Sequence, residues 1–322
     1  MKALVTGLTG QIGSFLAEHL LDNNIEVYGL IRRSSTNHLE RISHILNRIY
    51  LVPGDLADQT SLDTAMREVR PDFIFNCAAQ SFVHVSWTQP EHTANITGLG
   101  VLRMLEAMRK YAPEARFVQS SSSEIFGRVQ EIPQKETTPF YPRSPYGIAK
   151  LLGYWMVRNA RESYGLFASN AIKFNQESSR RGHEFVTRKI SLGVAAIKLG
   201  LANELRLGNL DAKRDWGFAG DAARAMLMIA QHSEPDDFVV ATGQTYSIRD
   251  FLSMAFGYVG LDYLHYVKVD ESLIRPAEVD LLIGDYSKIQ RVLGWMPGKR
   301  LIDIVHEMVE CDLMLLRKEM KQ

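Results

Sequence analysis

The sequence predicts an α/β protein, a doubly wound parallel sheet carrying a smaller C-terminal α/β lobe, and three observations predict it. Short apolar runs alternate with longer amphipathic segments through the first half of the 322-residue chain. Those runs are too continuously apolar for a sheet with one wet face, so helices must cover both. Three glycines also close the first run just where a helical pattern opens. Alternation of this kind implies right-handed crossovers and parallel neighbours.

The elements follow in order. Apolar runs predict strands at KALVT (2–6), VYGLI (27–31), IYLVP (49–53), FIFNC (73–77) and RFVQS (116–120), and later at FASNAIKF (167–174) and DFVVATG (237–243). Between them, IGSFLAEHLLDNN and TGLGVLRMLEAMRKYA repeat apolar residues at intervals of three and four, the helical period. After Asn175 segments shorten and arginines become more frequent, and VHEMVECDLMLLRKEM predicts a closing helix. This divides the chain into a dinucleotide-binding domain over 1–174 and a lobe over 175–322, with 220–260 returning to complete the large sheet. There is no internal repeat and no low-complexity tract.

Composition narrows the function classes. Lys plus Arg and Asp plus Glu both count 37, so the formal net charge is zero, which argues against a general nucleic-acid binder. Two cysteines, Cys77 and Cys311, make neither a disulfide framework nor a structural zinc site, and the nine histidines form no metal-binding pair. No apolar segment approaches the ~18 residues of a membrane span. The N-terminus lacks the apolar core and cleavage site of a signal peptide, so the expected setting is the reducing cytoplasm.

Gly7, Gly10 and Gly13 follow the first strand in a GxxGxxG spacing. Such a turn lets a pyrophosphate approach the backbone and seats it on a helix N-terminus. The second strand ends in Arg32, Arg33, Ser34 and Ser35 with no acid. An acid there would bond a ribose 2′-hydroxyl, whereas arginine accepts a 2′-phosphate, so the sequence favours NADP over NAD. Two solvated loop arginines are the alternative. Asp55, past the third strand, suits an adenine amino group, although any turn can hold a Gly-Asp.

A third group forms around SSSSEIFG and SPYGIAK. Tyr146 and Lys150 stand four apart on one helix face, after the strand that ends in the serines. A tyrosine with reference pKa ~10 needs help to act as a base, and a nearby ammonium and an oxidised nicotinamide both favour its phenolate. Ser122 then polarises the oxygen of the alcohol being oxidised. A plain alcohol dehydrogenase needs no further acid, so Glu124 calls for a role. Once a sugar carbon is a ketone, its neighbour's hydrogen is acidic, and Glu124 suits its removal and the later protonation of a leaving hydroxyl. Otherwise Glu124 caps a turn or pairs with an arginine.

GLTGQIG, Asn95, the serine cluster and Tyr146–Lys150 together resemble the extended short-chain dehydrogenase/reductases. EIPQKETTPFYPRSPYGIAK, FNQESSRRGHEFVTRKI, LGNLDAKRDWGFAGD and RPAEVDLLIGD narrow the resemblance, almost end to end, to GDP-mannose 4,6-dehydratases. That resemblance implies a Rossmann-type fold, tightly held NADP, and conversion of a GDP-sugar to its 4-keto-6-deoxy form. It implies Ser122, Glu124, Tyr146 and Lys150 as catalytic residues. It places Gly7, Thr9, Gly10, Gln11, Ile12, Gly13, Arg32, Arg33, Ser34 and Ser35 around the cofactor. Asp55, Leu56, Ala78, Ala79, Gln80, Gln176 and Arg181 join them there, along with Tyr146 and Lys150. The substrate is expected on Ser81, Ser86, Glu124, Asn175, Val186, Lys189, Arg214, Arg275 and Glu278. The three cations Lys189, Arg214 and Arg275 suit a diphosphate independently of the resemblance.

Departures from the family pattern are Ile12 for an acid in GQDG, Gln176 for histidine in FNHES, Ser179 for proline and Phe126 for a frequent tyrosine. Together they point to a shifted sugar such as a GDP-manno-heptose. Competing readings are a 4-keto reductase, a 4-epimerase and a non-catalytic dinucleotide-binding scaffold. Relatives imply a homodimer or homotetramer.

Overall fold

The computed structural model describes residues 1–36, 38–273, 279 and 281–321. Its centre is a seven-stranded, all-parallel sheet. β1 (Lys2–Thr6), β2 (Glu26–Ile31), β3 (Ile49–Pro53), β4 (Phe73–Asn76), β5 (Arg116–Ser122) and β6 (Ala168–Lys173) come from the first half. With β11 (Asp237–Val240) they lie in the order β11-β6-β5-β4-β1-β2-β3. The order reverses beside β1, which pairs with both β2 and β4 and so opens a crevice at the carboxyl edge.

Apolar strand faces explain the two layers. Val5, Val27, Phe75 and Val118 pack under α1 (Gln11–Asp22) and, further along the chain, α8 (Ala219–Gln231). Leu4, Ile74 and Phe117 pack under α2 (Gln59–Val69), α5 (Gly100–Tyr111) and α6 (Pro145–Tyr164). The crossover between β4 and α5 runs through α3 (Val83–Thr88), α4 (Pro90–Thr93) and a π-helical stretch, Ala94–Leu99. The helical periodicity that predicts one helix from residue 97 therefore meets a wider turn first.

Between β6 and β11 the chain builds β7 (Asn175–Glu177), α7 (Val186–Lys198), β8 (Leu205–Leu207), β9 (Lys213–Arg214) and β10 (Trp216–Phe218). Beyond β11 come β12 (Tyr246–Ser247), α9 (Ile248–Tyr258), β13 (Val267–Val269), α10 (Ser287–Leu293) and α11 (Leu301–Glu319). α7, α9 and α11 share a core of their own around Trp216, Phe251, Phe256 and Met308. Short two-stranded ladders, β7 with β10, β8 with β13 and β9 with β12, stitch this part together.

Among the predicted strands that end short of their apolar runs, the last is cut back most. DFVVATG leaves the sheet after Val240, because the amides of Thr242 and Gly243 donate instead to the buried Asp215 carboxylate, at 2.9 and 3.0 Å. Burial raises the pKa of Asp215 to about 6 against these hydrogen bonds. Asp215 thereby joins β10 to the turn after β11 and, through the Gly284 amide at 3.2 Å, to the segment beyond it.

Candidate active site

The glycine turn is built as its spacing predicts. Gly7 has a φ of +65°, and a Cβ there would sit 2.7 Å from the Ala78 amide nitrogen. A Cβ on Gly13 would lie 2.2 Å from the Gly7 carbonyl oxygen. Any side chain at either position would fill the cradle, so the glycines keep backbone amides open at the N-terminus of α1. Gly10 caps that helix without a side chain of its own.

Buried polar struts fix the strand ends facing the turn. Thr6 Oγ1 donates to Asn76 Oδ1 at 2.6 Å and accepts from the Ala78 amide at 3.0 Å, while Asn76 donates to Gln119 at 2.8 Å. These ties hold β1, β4 and β5 level at their carboxyl ends.

The serine row ends β5 and turns into a 3₁₀ segment, Ser123–Ile125. Ser122 caps this turn by accepting from the Glu124 amide at 3.2 Å. α6 is started by Ser144, which accepts from the Gly147 amide at 3.0 Å, with Pro145 in the first helical position. Gly147 packs so tightly on the strand end that a Cβ there would be 2.7 Å from the Glu124 carbonyl oxygen. Glycine at this one position brings Tyr146 and Glu124 into a shared cleft. The Glu124 carboxylate has no hydrogen-bond or ion-pair partner among the described residues. It neither caps the turn nor pairs with an arginine.

That cleft has a volume of about 630 Å³ and runs from the glycine turn across the strand ends to the smaller core. Among the predicted cofactor residues, Gly7, Thr9, Gly10, Gln11, Ile12, Gly13, Ala78, Ala79, Tyr146, Lys150, Gln176 and Arg181 line it. Ser81, Ser122, Glu124, Asn175, Val186, Lys189 and Arg214 complete its wall toward the lobe.

Other predicted residues lie elsewhere. Arg32, Arg33, Ser34 and Ser35 are exposed beyond β2 and do not line the cleft. Asp55 accepts from the Ala57 amide at 2.8 Å in a tight turn, and Leu56 is buried beneath it. Gln80 is turned inward, its side-chain amide donating to the Phe82 carbonyl. Ser86 departs most from expectation. It is fully buried, its hydroxyl donating to the Val83 carbonyl at 2.6 Å, because the short α3 packs that face away from the cleft. Arg275 and Glu278 fall outside the described residues.

Two lining residues are already committed to structure. Gln11 donates to the Gln176 carbonyl at 2.9 Å and accepts from Ser178 at 2.7 Å, tying α1 to β7 and the loop after it. Arg214 donates to the Val279 carbonyl at 2.6 Å, so part of its guanidinium holds the chain at Val279.

Electrostatics inside the cleft differ from the sequence expectation. Burial pushes Tyr146 up to about 12; a hydrogen bond with Ser122 and the Arg181 charge oppose this, and Glu124 adds to it. The Lys150 ammonium donates to the Ser120 carbonyl at 2.7 Å and stands 5.8 Å from the centre of the tyrosine ring. Burial, and then the neighbouring Lys173, bring Lys150 down to about 7.

Lys173 is the functional candidate that sequence reasoning missed. It lines the cleft at the end of β6, opposite Ser122 in the ladder, and is 8% exposed. Burial lowers it to about 8, with Cys77 opposing and Arg181 adding. A lone charge inside the apolar run FASNAIKF was the available signal. Arg181 meets Glu177 at 3.2 Å and stacks on Phe185, which places its charge on the same wall.

A parallel sheet with a glycine cradle after β1 and a serine, tyrosine and lysine at its carboxyl edge defines the short-chain dehydrogenase/reductase class of α/β enzymes. The sequence profile described as GDP-mannose 4,6 dehydratase matches residues 4–308. A GDP-mannose 4,6 dehydratase of Cricetulus griseus is 48% identical, covering 98% of this chain and 92% of the relative. One from Yersinia enterocolitica is 45% identical, covering 97% of this chain and 94% of the relative. Among solved structures, the UDP-glucose 4-epimerase of Thermotoga maritima with UDP-glucose superposes with a TM-score of 0.86 at 26% identity, over 99% of this chain and all of that one. A Thermus thermophilus UDP-glucose 4-epimerase in complex with NAD gives 0.84, also at 26% identity, over 97% of this chain and 99% of that one. The chain belongs to the GDP-mannose 4,6-dehydratase family and is a dehydratase enzyme, a hydro-lyase.

Proposed function

We propose that this enzyme binds NADP and converts GDP-mannose, or a longer-tailed GDP-sugar such as GDP-manno-heptose, to the GDP-4-keto-6-deoxy sugar. The observation that carries the reading is the unpartnered Glu124 carboxylate held beside Tyr146 in one cleft. A reductase or epimerase of the same class has no use for that acid.

When bound, the nicotinamide supplies a hydride acceptor at C4 and returns the same hydride at C6. The chain supplies everything else. Ser122 holds the C4 oxygen while Tyr146 takes its proton. The new ketone makes the C5 hydrogen acidic, and Glu124 removes it. Glu124, now protonated, gives that proton to the C6 hydroxyl, which leaves as water, and the proton held on Tyr146 is released to C5 when C6 is reduced, so the cycle closes with every group back in its starting state. Tyr146 is a neutral phenol in the bare cleft, so its activation as a base depends on the charge of the loaded cofactor.

The cofactor fits the residues present. The glycine cradle leaves room for a pyrophosphate at α1. The choice of NADP rests on Arg32 and Arg33, exposed past β2 with no ion-pair partner among the described residues and free to meet a 2′-phosphate. Domain roles follow: 1–174, with the returning 220–260 segment, holds the cofactor, and 175–322 chiefly holds the nucleotide sugar. Lys189 is exposed on the cleft wall, where a diphosphate would pass. An exposed apolar stripe on α6, Ile148 with Trp155, supports pairing of subunits into a homodimer or homotetramer. A cytoplasmic setting is consistent with the reading, and among the described residues no helix is long and apolar enough to cross a membrane.

The test is turnover of GDP-mannose and of GDP-manno-heptose without added reductant, followed by mass measurement. Loss of one water from either supports the reading; no conversion of either sugar, with NADPH consumed in proportion to product when a GDP-4-keto-6-deoxy sugar is supplied, points to a reductase instead. Glu124→Gln should keep cofactor binding and lose elimination by about 100-fold or more. Elimination at the wild-type rate would remove Glu124 from the mechanism.

A further inference from the structure

The mechanism above leaves one buried charge unused. Lys173 is more than nine-tenths buried, yet its ammonium has no hydrogen-bond or ion-pair partner among the described residues. Unpaired buried ammonium groups are costly and rare, so one that opens onto a cleft calls for a ligand-directed role. Its surroundings are also cationic or neutral. Lys150 on α6 is close enough for its pKa to be depressed by Lys173, and Arg181 on the loop after β7 depresses Lys173 in turn. Cys77, at the end of β4, is the remaining titratable neighbour, and burial raises its thiol above the ordinary value. The carboxylate Glu177 on the same wall is already engaged by Arg181 and by Thr187 at 2.5 Å.

Position narrows the role. Lys173 pairs in register with Ser122, which holds the oxygen of the carbon being oxidised, and it neighbours Lys150 and Cys77 at the nicotinamide end of the cleft. Hydride transfer from C4 moves two electrons and one hydrogen onto the ring while the alcohol proton passes to Tyr146. The oxidised ring is a cation and the reduced ring is neutral.

We propose that Lys173 is a redox-biasing residue: its unpaired ammonium repels the oxidised nicotinamide, leaves the reduced ring unaffected, and so favours C4 oxidation at the start of the cycle. The inference rests on the nicotinamide reading above. At separations below about 8 Å and an effective dielectric constant of about 20, charge repulsion of this kind shifts an equilibrium roughly tenfold or more. The same bias opposes hydride return at C6. Lys173 is therefore expected to shift the balance between steps rather than to accelerate the whole cycle.

The experiment is equilibrium binding of NADP⁺ and NADPH, by quenching of protein fluorescence, to the wild type and to Lys173→Met, Lys173→Gln and Lys173→Arg. The neutral variants should bind NADP⁺ more tightly relative to NADPH, changing the ratio of dissociation constants by roughly tenfold. Lys173→Arg, which keeps the charge, should hold the wild-type ratio. A ratio unchanged in both neutral variants overturns the inference, and a ratio that moves equally in Lys173→Arg assigns the effect to shape and overturns it too. If the wild type binds neither form, it is the cofactor reading that fails.

Discussion

At the scale of single residues, the cleft concentrates groups whose charge burial disfavours. Tyr146, Lys150 and Lys173 are all displaced toward their neutral forms, burial being the first cause for each. The sign of the consequence can be worked out for Lys173. Its folded pKa, about 8, lies below the ordinary 10.5, so between those values the unfolded chain binds more protons and stability rises with pH. The penalty is present in full below about 8 and is relieved toward 10.5. A displacement of that size corresponds to about 3 kcal/mol as an upper figure. In the bare protein Lys173→Met should therefore be more stable than the wild type in urea at pH 7, and the gap should shrink by pH 9.5. A gap of the same size at both pH values would show that the ammonium is not held at a cost. Residue chemistry was partly legible in the sequence. The spacing of Tyr146 and Lys150 predicts a shared helix face, but no spacing reveals that the Lys150 ammonium would bond the Ser120 carbonyl.

At the scale of elements, α6 is the clearest case of sequence writing its own boundaries. Ser144 caps it, Pro145 opens it, and Gly165 closes it at a φ of +64°. What those signals do not say is where the helix docks. That is decided by Gly147, whose missing side chain lets the first turn rest on the Glu124 carbonyl. Gly147→Ala should thus push the turn carrying Tyr146 away from the strand end. We expect a fall in kcat of about 10-fold or more with a folded protein and cofactor binding retained, since small displacements of reacting groups are expensive. Unchanged kcat would mean that the close contact does not set the catalytic geometry. Strands of the main sheet were legible because burial on both faces leaves a continuous apolar signature. The ladders of the lobe were not, since two- and three-residue strands such as β9 and β10 are too short to show a period. The end of β11 is hidden for a different reason: Ala241–Gly243 looks like strand, but the carboxylate of Asp215 claims the amides of Thr242 and Gly243.

Across the whole molecule, the last strand of the sheet arrives only after the chain has built much of the lobe. Its anchorage is a buried network centred on Asp237. Arg161 meets it at 2.9 Å, Asn170 donates at 2.9 Å and Tyr154 at 3.1 Å, so α6, β6 and β11 share one carboxylate. These bonds outweigh burial, and the Asp237 pKa is lowered. The stabilisation is therefore present at neutral pH and is lost only in acid below the ordinary carboxylate range. Asp237→Ala strands a buried guanidinium and should cost about 3–5 kcal/mol in unfolding free energy. A loss below about 1 kcal/mol would show that the network does not fasten the strand.

By itself the sequence determined the sheet-and-helix class, the glycine cradle, the serine row with its following acid, and the four-residue spacing of tyrosine and lysine. Each is a local consequence of backbone sterics, side-chain periodicity or capping, and local rules act over a few residues. Only the tertiary structure decided that Glu124 stays unpaired beside Tyr146, that Ser86 turns inward, and that Lys173 opens onto the cleft next to Lys150. Those outcomes depend on which strand ends and helix turns are brought together from distant parts of the chain. Burial and charge at such a meeting are properties of the assembled fold, which no single segment contains.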